Sequence, residues 1–167
     1  LSHLAEILLD MTGIQSVERS DFISLAELTD EVCCDLASIA DQKKVELIQE
    51  EGDCTVTGSY LLLYRAVYNL VENAIKYNHS GGKVTVKISQ TKALPAAHSK
   101  PTDYALVEVT DTGIGISAEH QERVFERFYR VDKSRSKATG GTGLGLAIVK
   151  HIVAQHGAKL TLESEQV

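Results

Sequence analysis

The chain of 167 residues has no tryptophan, one methionine, two prolines and three cysteines, and it lacks any long apolar run. Without a stretch approaching the roughly 20 apolar residues that a membrane helix needs, no spanning segment is expected. The start, Leu1-Ser2-His3-Leu4, also lacks the basic flank and apolar run of a signal peptide. Cys33 and Cys34 are adjacent and Cys54 is distant, which gives neither an even disulfide set nor the paired spacing of a zinc site. Reduced thiols in a cytosol are the expectation. An excess of positive charge is missing too. The net charge is -6, which argues against a nucleic-acid binder.

What is present is 43% hydrophobic residues, enough for one domain with a single core. The charge is uneven. Five basic residues (Arg127, Arg130, Lys133, Arg135, Lys137) stand against one acid, Asp132, so this segment is +4 and the remainder is -10. Such a segment suits a small polyanion, and it suits equally a solvated loop.

Leu4, Ile7, Leu8 and Met11 follow helical spacing up to Gly13, so residues 1 to about 12 read as the tail of a helix. Ser24-Leu25-Ala26-Glu27 has the form of a capping box, and a helix over about 25–42 should follow. Val45 to Ile48 and Cys54 to Thr57 are short strand candidates that could pair as a hairpin. A long helix is expected from about Ser59 to Tyr77, a stretch without Gly or Pro that Asn78-His79-Ser80-Gly81-Gly82 ends. Residues 83–89 and 104–110 alternate as strands, with both prolines, Pro95 and Pro101, in the loop between them. Ser117 can cap a short helix through Phe128, a helix should run from Leu144 to Gln155, and Lys159 to Glu163 alternates as a last strand. Elements mixed in both orders predict an α/β (α+β) two-layer sandwich, with helices on one face of a mixed sheet.

Three stretches carry chemistry. Asn69, Asn73 and Lys76 are spaced i, i+4, i+7, within about 60° of one another on the long helix and away from its apolar face. Asparagine is a mediocre helix former, so two in register invite explanation beyond a polar helix face. An amide oxygen can ligate a hard cation such as Mg²⁺, and Lys76 can then meet a phosphate. Asp111-Thr112-Gly113-Ile114-Gly115-Ile116 follows an alternating strand, which sets a carboxylate at the strand's end. A buried carboxylate there can accept a base's exocyclic amine; a tight turn is the alternative. The stretch is not a dinucleotide fingerprint, because the third glycine is missing. Gly140-Gly141-Thr142-Gly143-Leu144-Gly145-Leu146 runs into a helix, whose free amides and dipole favour an anion. It is not a Walker A loop, since Gly-Lys-Ser/Thr is absent.

In this order and spacing the stretches resemble the boxes of the histidine kinase catalytic domain of the GHKL ATPase superfamily. Asn69-Leu70-Val71-Glu72-Asn73-Ala74-Ile75-Lys76-Tyr77 resembles the N box and Asp111 to Gly115 the first glycine box. Val124-Phe125-Glu126-Arg127-Phe128-Tyr129-Arg130 resembles the F box and Gly141 to Leu146 the second glycine box. The resemblance covers roughly residues 20 to 165. It implies the Bergerat ATP-binding fold, with a mobile lid between the F box and the second glycine box. It further implies ATP and Mg²⁺ as cofactors, Asn73 as the metal ligand, and Asn69 and Lys76 near the phosphates. Tyr77 then packs near adenine or ribose, Asp111 accepts the adenine amine, and Gly113, Gly115 and Ile116 line the same side. Arg130 reaches the terminal phosphate, while Gly141, Thr142, Gly143, Leu144, Gly145 and Leu146 cradle the phosphate chain. Phe125 and Phe128 anchor the lid. Glu72 has two readings, activation of the attacking group or an outward-facing glutamate.

The implied activity is transfer of the terminal phosphate to a histidine on a separate helical domain, with Asn69, Glu72 and Arg130 closest to the chemistry. Ser2-His3-Leu4-Ala5-Glu6 departs from the acceptor box, because the acid after the histidine and the Thr-Pro are missing. Residues 1–20 are therefore expected to be the end of a dimerisation helix and its linker, and residues 21–167 the catalytic domain. His79, His98, His120, His151 and His156 read as surface or packing residues. Expected partners are the chain's own dimerisation domain and a downstream response regulator, with no nucleic acid. The fragment is expected to be a cytoplasmic monomer, and its parent a homodimer that a membrane can anchor. A superfamily ATPase or protein-serine kinase is the rival within the fold, though the F box and short lid favour the histidine kinase branch. A nucleotide-binding module without catalysis is the rival of another class.

Overall fold

A computed structural model of the chain describes residues 3–10, 21–93, 102–126 and 145–164. Seven strands and four helices occur in these stretches. They are β1 (His3–Asp10), β2 (Asp21–Ser24), α1 (Leu25–Lys43), β3 (Glu46–Gln49), β4 (Thr55–Gly58) and α2 (Tyr60–Lys76), then β5 (Lys83–Ala93), β6 (Thr102–Asp111), α3 (Ala118–Gln121), α4 (Gly145–Gln155) and β7 (Lys159–Ser164). A five-stranded mixed sheet has the order β3-β5-β6-β1-β7, and β2 and β4 form a separate antiparallel pair.

Helix α1 starts where the capping box predicted. The Ser24 hydroxyl accepts from the Glu27 N–H at 3.3 Å, and Asp53 adds a second cap by accepting from the Ala26 N–H at 3.0 Å. Both donors belong to the set left unpaired at any helix start. Lys44 ends the helix in the left-handed region, at φ 56°. The apolar stripe Leu25, Leu28, Val32 and Leu36 is fully buried. On α2 the stripe Leu63, Val67, Leu70, Val71 and Ala74 is buried in the same way, and each leucine contributes roughly 1.5–3 kcal/mol by leaving water. These helices pack on the alternating inner face of the central strands, made of Val84, Val86 and Ile88 of β5 and Ala105, Val107 and Val109 of β6. Asp111 continues that inner row, opposite Val84.

Three local expectations change. Residues 45–48 and 54–57 do not pair as a hairpin: β3 runs parallel to β5, and β4 pairs with β2. The segment expected to be the tail of a helix contains strand β1, hydrogen-bonded to both β6 and β7. Apolar residues at 4, 5, 7, 8 and 9 satisfy helical spacing and a two-sided buried strand alike, so periodicity alone does not separate the two. The helix after Ser117 spans four residues, and Ser117 makes no side-chain cap; Phe128 lies outside the described residues.

One contact joins distant parts of the chain. His156, buried just beyond α4, accepts from the Ser59 N–H at 3.1 Å through Nε2. Its Nδ1 lies 2.9 Å from the Ile152 carbonyl, which fixes the tautomer with the proton on Nδ1. His156, expected as a surface or packing residue, thus bolts the end of α4 to the start of α2. Gly58 lies flat against the ring: a Cβ there would sit 2.7 Å from a ring carbon.

Candidate functional site

At its far end α2 meets the beginning of α4. The Asn69 amide Nδ2 donates to the Gly145 carbonyl at 3.3 Å, and a Cβ at Gly145 would lie 3.8 Å from Nδ2 of Asn73. The first residue of α4 therefore lies over the asparagine stripe, as helical spacing requires of residues at 69 and 73. With His156 at one end and Asn69 at the other, α4 is tied antiparallel to α2 at both ends. Its N-terminus, where backbone amides lack partners within the helix, faces the stripe.

Asp111 stands at the end of the apolar row on β6 and is 4% exposed. A carboxylate in that position needs a hydrogen-bond partner to offset its lost hydration, and Oδ1 accepts from the Gly113 N–H at 2.8 Å. The loop beyond is held by α2 itself. Ile114 N–H donates to the Tyr77 carbonyl at 3.1 Å, and a Cβ at Gly113 would come within 2.6 Å of the same oxygen. Thr112 closes a small ring of bonds: its hydroxyl accepts from the Lys83 N–H at 2.9 Å, while the Asn78 amide donates to the Lys83 carbonyl at 3.0 Å. Gly115 adopts φ 73°, the left-handed region that favours glycine. Further on, the Ile116 N–H donates to the Ser164 hydroxyl at 2.7 Å, and the Gln121 amide donates to the carbonyls of Ile116 and Ser164, each at 2.8 Å. Asn78, Thr112, Gln121 and Ser164 were not singled out from the sequence. The clustering of turn-forming residues around 78–82 and 112–117 hints at Asn78 and Thr112; no such signal marks Gln121 or Ser164.

Lys76 Nζ lies 2.9 Å from Oε1 of Glu72, one helical turn back. Burial first, then the nearby Glu72 carboxylate, raises the Tyr68 pKa. Tyr60 and Tyr64 continue the same row towards α1 and hydrogen-bond Glu31 and Asp35. Burial and then these partners push Tyr60 up to about 12 and Tyr64 higher still. Tyr77 and Ile114 are partly exposed at the site, at 38% and 43%.

The structure thus gathers Asn69, Glu72, Asn73, Lys76, Tyr77, Asp111, Gly113, Gly115, Ile116, Gly145 and Leu146 around the C-terminal half of α2, the loop after β6 and the start of α4. Arg130, Gly141, Thr142, Gly143 and Leu144 lie outside the described residues, as does the rest of the basic segment. Phe125 is half-buried beside the buried Val124. No described helix is long and apolar enough to cross a membrane.

A family profile described as "Histidine kinase-, DNA gyrase B-, and HSP90-like ATPase" matches residues 58–166, from the end of β4 to beyond β7. The chain belongs to this family. Among curated relatives, it is 38% identical over 162 residues to the sensor-like histidine kinase SenX3 of Mycolicibacterium smegmatis, a match covering 95% of this chain and 40% of that protein. It is 36% identical to the sensor histidine kinase RppB of Synechocystis, across 98% of this chain and 39% of the relative. The chain therefore spans about two fifths of the length of these relatives. Among solved structures, the mycobacterial sensor histidine kinase MprB superposes with a TM-score of 0.65 at 28% identity, over 88% of this chain and 98% of the other. The catalytic domain of histidine kinase ThkA has the same fold, with a TM-score of 0.63 at 21% identity over 86% and 95% of the two chains. The mixed sheet and its covering helices are those of the Bergerat ATP-binding fold, as the sequence resemblance implied.

Proposed function

We propose that the chain is the Mg-ATP-binding catalytic domain of a two-component sensor histidine kinase, and that it donates the terminal phosphate to a histidine on a helical dimerisation domain. The observation that carries this reading is the meeting of three groups at one site: the buried Asp111 carboxylate, the Asn69–Asn73 stripe, and the N-terminus of α4. Each suits a different part of the nucleotide. The Asp111 carboxylate accepts a hydrogen bond from the adenine amine, and Gly113 lets the chain pass close to the ring. The N-terminus of α4, with Gly145 and Leu146, offers backbone amides to phosphate oxygens. Lys76 supplies positive charge at the same end of α2.

The donor set fits Mg²⁺. Asn73 offers a neutral amide oxygen beside the α4 amides, and this ion prefers a few hard protein oxygens while keeping waters and phosphate oxygens as its other ligands. When bound, the metal neutralises phosphate charge in a transfer that depends on positioning and electrostatics. The chain's own residues then do the rest. Asn69 holds the first turn of α4 against α2, Tyr77 packs against adenine or ribose, and Arg130 with Gly141, Thr142, Gly143 and Leu144 completes the phosphate side. Glu72 is engaged by Lys76, which suits an ordering role better than activation of the attacking group.

The whole-protein reading adds a homodimeric parent, a response regulator that receives the phosphate from the histidine, and attachment of that parent to a membrane. The test is transfer in trans. The chain, Mg-ATP and a separately supplied dimerisation domain should yield phosphate on that domain's histidine, labile to acid and stable to base. Nucleotide binding without any such transfer would leave a binding module in place of a kinase.

A further inference from the structure

Helix α4 is 11 residues long, a rod of about 16 Å. Its buried side is apolar, made of Val149, Ile152 and Val153, with Leu146 and Ile148 packed against the same core. Such burial is non-directional, so the polar bonds at the two ends set the rod's axial position and rotation most sharply. At the front, Asn69 Nδ2 reaches the Gly145 carbonyl at 3.3 Å. At the back, the His156 ring joins two stretches of main chain: Nδ1 donates to the Ile152 carbonyl at 2.9 Å, and Nε2 accepts from the Ser59 N–H at 3.1 Å. An imidazole has no torsion between its nitrogens, so a ring bonded through both is a rigid strut. Its far footing is firm. Ser59 caps α2, with its hydroxyl accepting from the Leu62 N–H at 3.4 Å and its carbonyl from the Leu63 N–H at 3.0 Å. A Cβ at Gly58 would lie 2.7 Å from ring Cδ2 and 2.9 Å from Nε2, so glycine lets the ring approach this closely.

We infer that His156 is a positioning residue for the nucleotide phosphates: by fixing where α4 stands along α2, it sets where the amides of Gly145 and Leu146, at the opposite end of the rod, meet phosphate oxygens. The inference rests on the reading of the start of α4 as the phosphate cradle. A helix is stiff along its axis, because main-chain bonds link each turn to the next, so a shift at residue 156 is carried to residue 145. The front bond does not oppose that shift firmly, since the Asn69 side chain can turn about two torsions and follow the Gly145 carbonyl. Phosphate bonds to the α4 amides then weaken, because a hydrogen bond falls off steeply as its distance and angle leave the optimum. Asp111 belongs to β6 and is not carried by α4, so the adenine side keeps its place.

The experiment compares the whole chain with His156→Phe and His156→Gln, well below the melting temperature of each, for affinity toward the Mg²⁺ complex of the β,γ-imido analogue of ATP and, in parallel, toward adenosine. His156→Phe should weaken the triphosphate about three- to tenfold, the size of one modest hydrogen bond, and leave adenosine unchanged. His156→Gln, whose amide oxygen can accept the Ser59 N–H, should recover most of the loss. Should His156→Phe not fold, His156→Asn takes its place, because its shorter amide matches the Nδ1 end of the ring and falls short of Ser59. An equal loss for adenosine, no loss for the triphosphate, or a glutamine variant no better than phenylalanine would overturn the inference. The backbone amide resonance of Gly145 in the nucleotide-free protein gives a separate readout. It should move on His156→Phe, and an unmoved resonance overturns the strut alone. Failure of the wild-type chain to bind the analogue overturns the nucleotide reading and the role of His156 with it.

Discussion

Replacing His156 by phenylalanine isolates the bolt between α2 and α4. Phenylalanine retains an aromatic ring but cannot accept the Ser59 N–H, which donates to Nε2 over 3.1 Å. The Ile152 carbonyl keeps its backbone bond from the residue-156 N–H, now 3.1 Å, so only one group is orphaned. Ser59 is 7% exposed and His156 4%, so little water reaches that donor. An unsatisfied buried donor costs about 1–3 kcal/mol. In a domain of this size each kcal/mol moves the melting temperature by about 2–4 °C, so a loss of about 2–12 °C is expected by calorimetry or circular dichroism. His156→Gln, which restores an acceptor, should lose less. A melting temperature within about 1 °C of wild type for His156→Phe would refute the bolt, because one orphaned donor should exceed that shift.

The glycine at 113 should tolerate no side chain, since its Cβ would meet the Tyr77 carbonyl at 2.6 Å. Gly113→Ala is expected to cost about 1–3 kcal/mol in chemical denaturation and to weaken binding of the ATP analogue in calorimetry. Burial, then Asp30 and Cys34, push the Cys33 thiol up to about 11, whereas Cys34 is exposed. Iodoacetamide at mildly alkaline pH should therefore modify Cys34 well before Cys33, as read by peptide mass spectrometry. Tyr60 and Tyr64 hold their protons in the folded chain above the usual tyrosine value of 10.0. The unfolded chain ionises them first, so stability should fall as pH rises from 10 towards 12. Tyrosinate absorbance should show a late-titrating fraction that Tyr60→Phe and Tyr64→Phe each reduce.

What was legible in the sequence is what short-range periodicity and capping encode. Ser24 and Glu27 mark the start of α1, the apolar stripe and the Gly/Pro-free stretch mark α2, and strict alternation marks β5 and β6. Pairing was not legible, because it is decided by distant partners. Residues 45–48 and 54–57 are neighbours in sequence, yet one pairs with β5 and the other with β2. The segment before Asp10 shows the limit from another side, since its apolar run serves a helix or a central strand equally well. At the site, residue types and spacing singled out Asn69, Asn73, Lys76 and Asp111, whose chemistry is local to a helix face or a strand end. The sequence did not reveal what holds them in place. Asp53 capping α1, the Asn78–Thr112–Lys83 ring, and the His156 contact 97 residues from Ser59 all depend on tertiary proximity. Nor did it reveal that Glu72, read either as an activator of the attacking group or as an outward-facing glutamate, pairs with Lys76 one helical turn on.

The most direct test of the account is calorimetric binding of the non-hydrolysable ATP analogue, with and without Mg²⁺, to the wild-type chain and to Asp111→Asn. The account predicts Mg²⁺-dependent binding that Asp111→Asn weakens about tenfold or more, the loss expected of a hydrogen bond to a charged group. A folded wild-type chain that does not bind, or binding indifferent to Asp111→Asn, would contradict it.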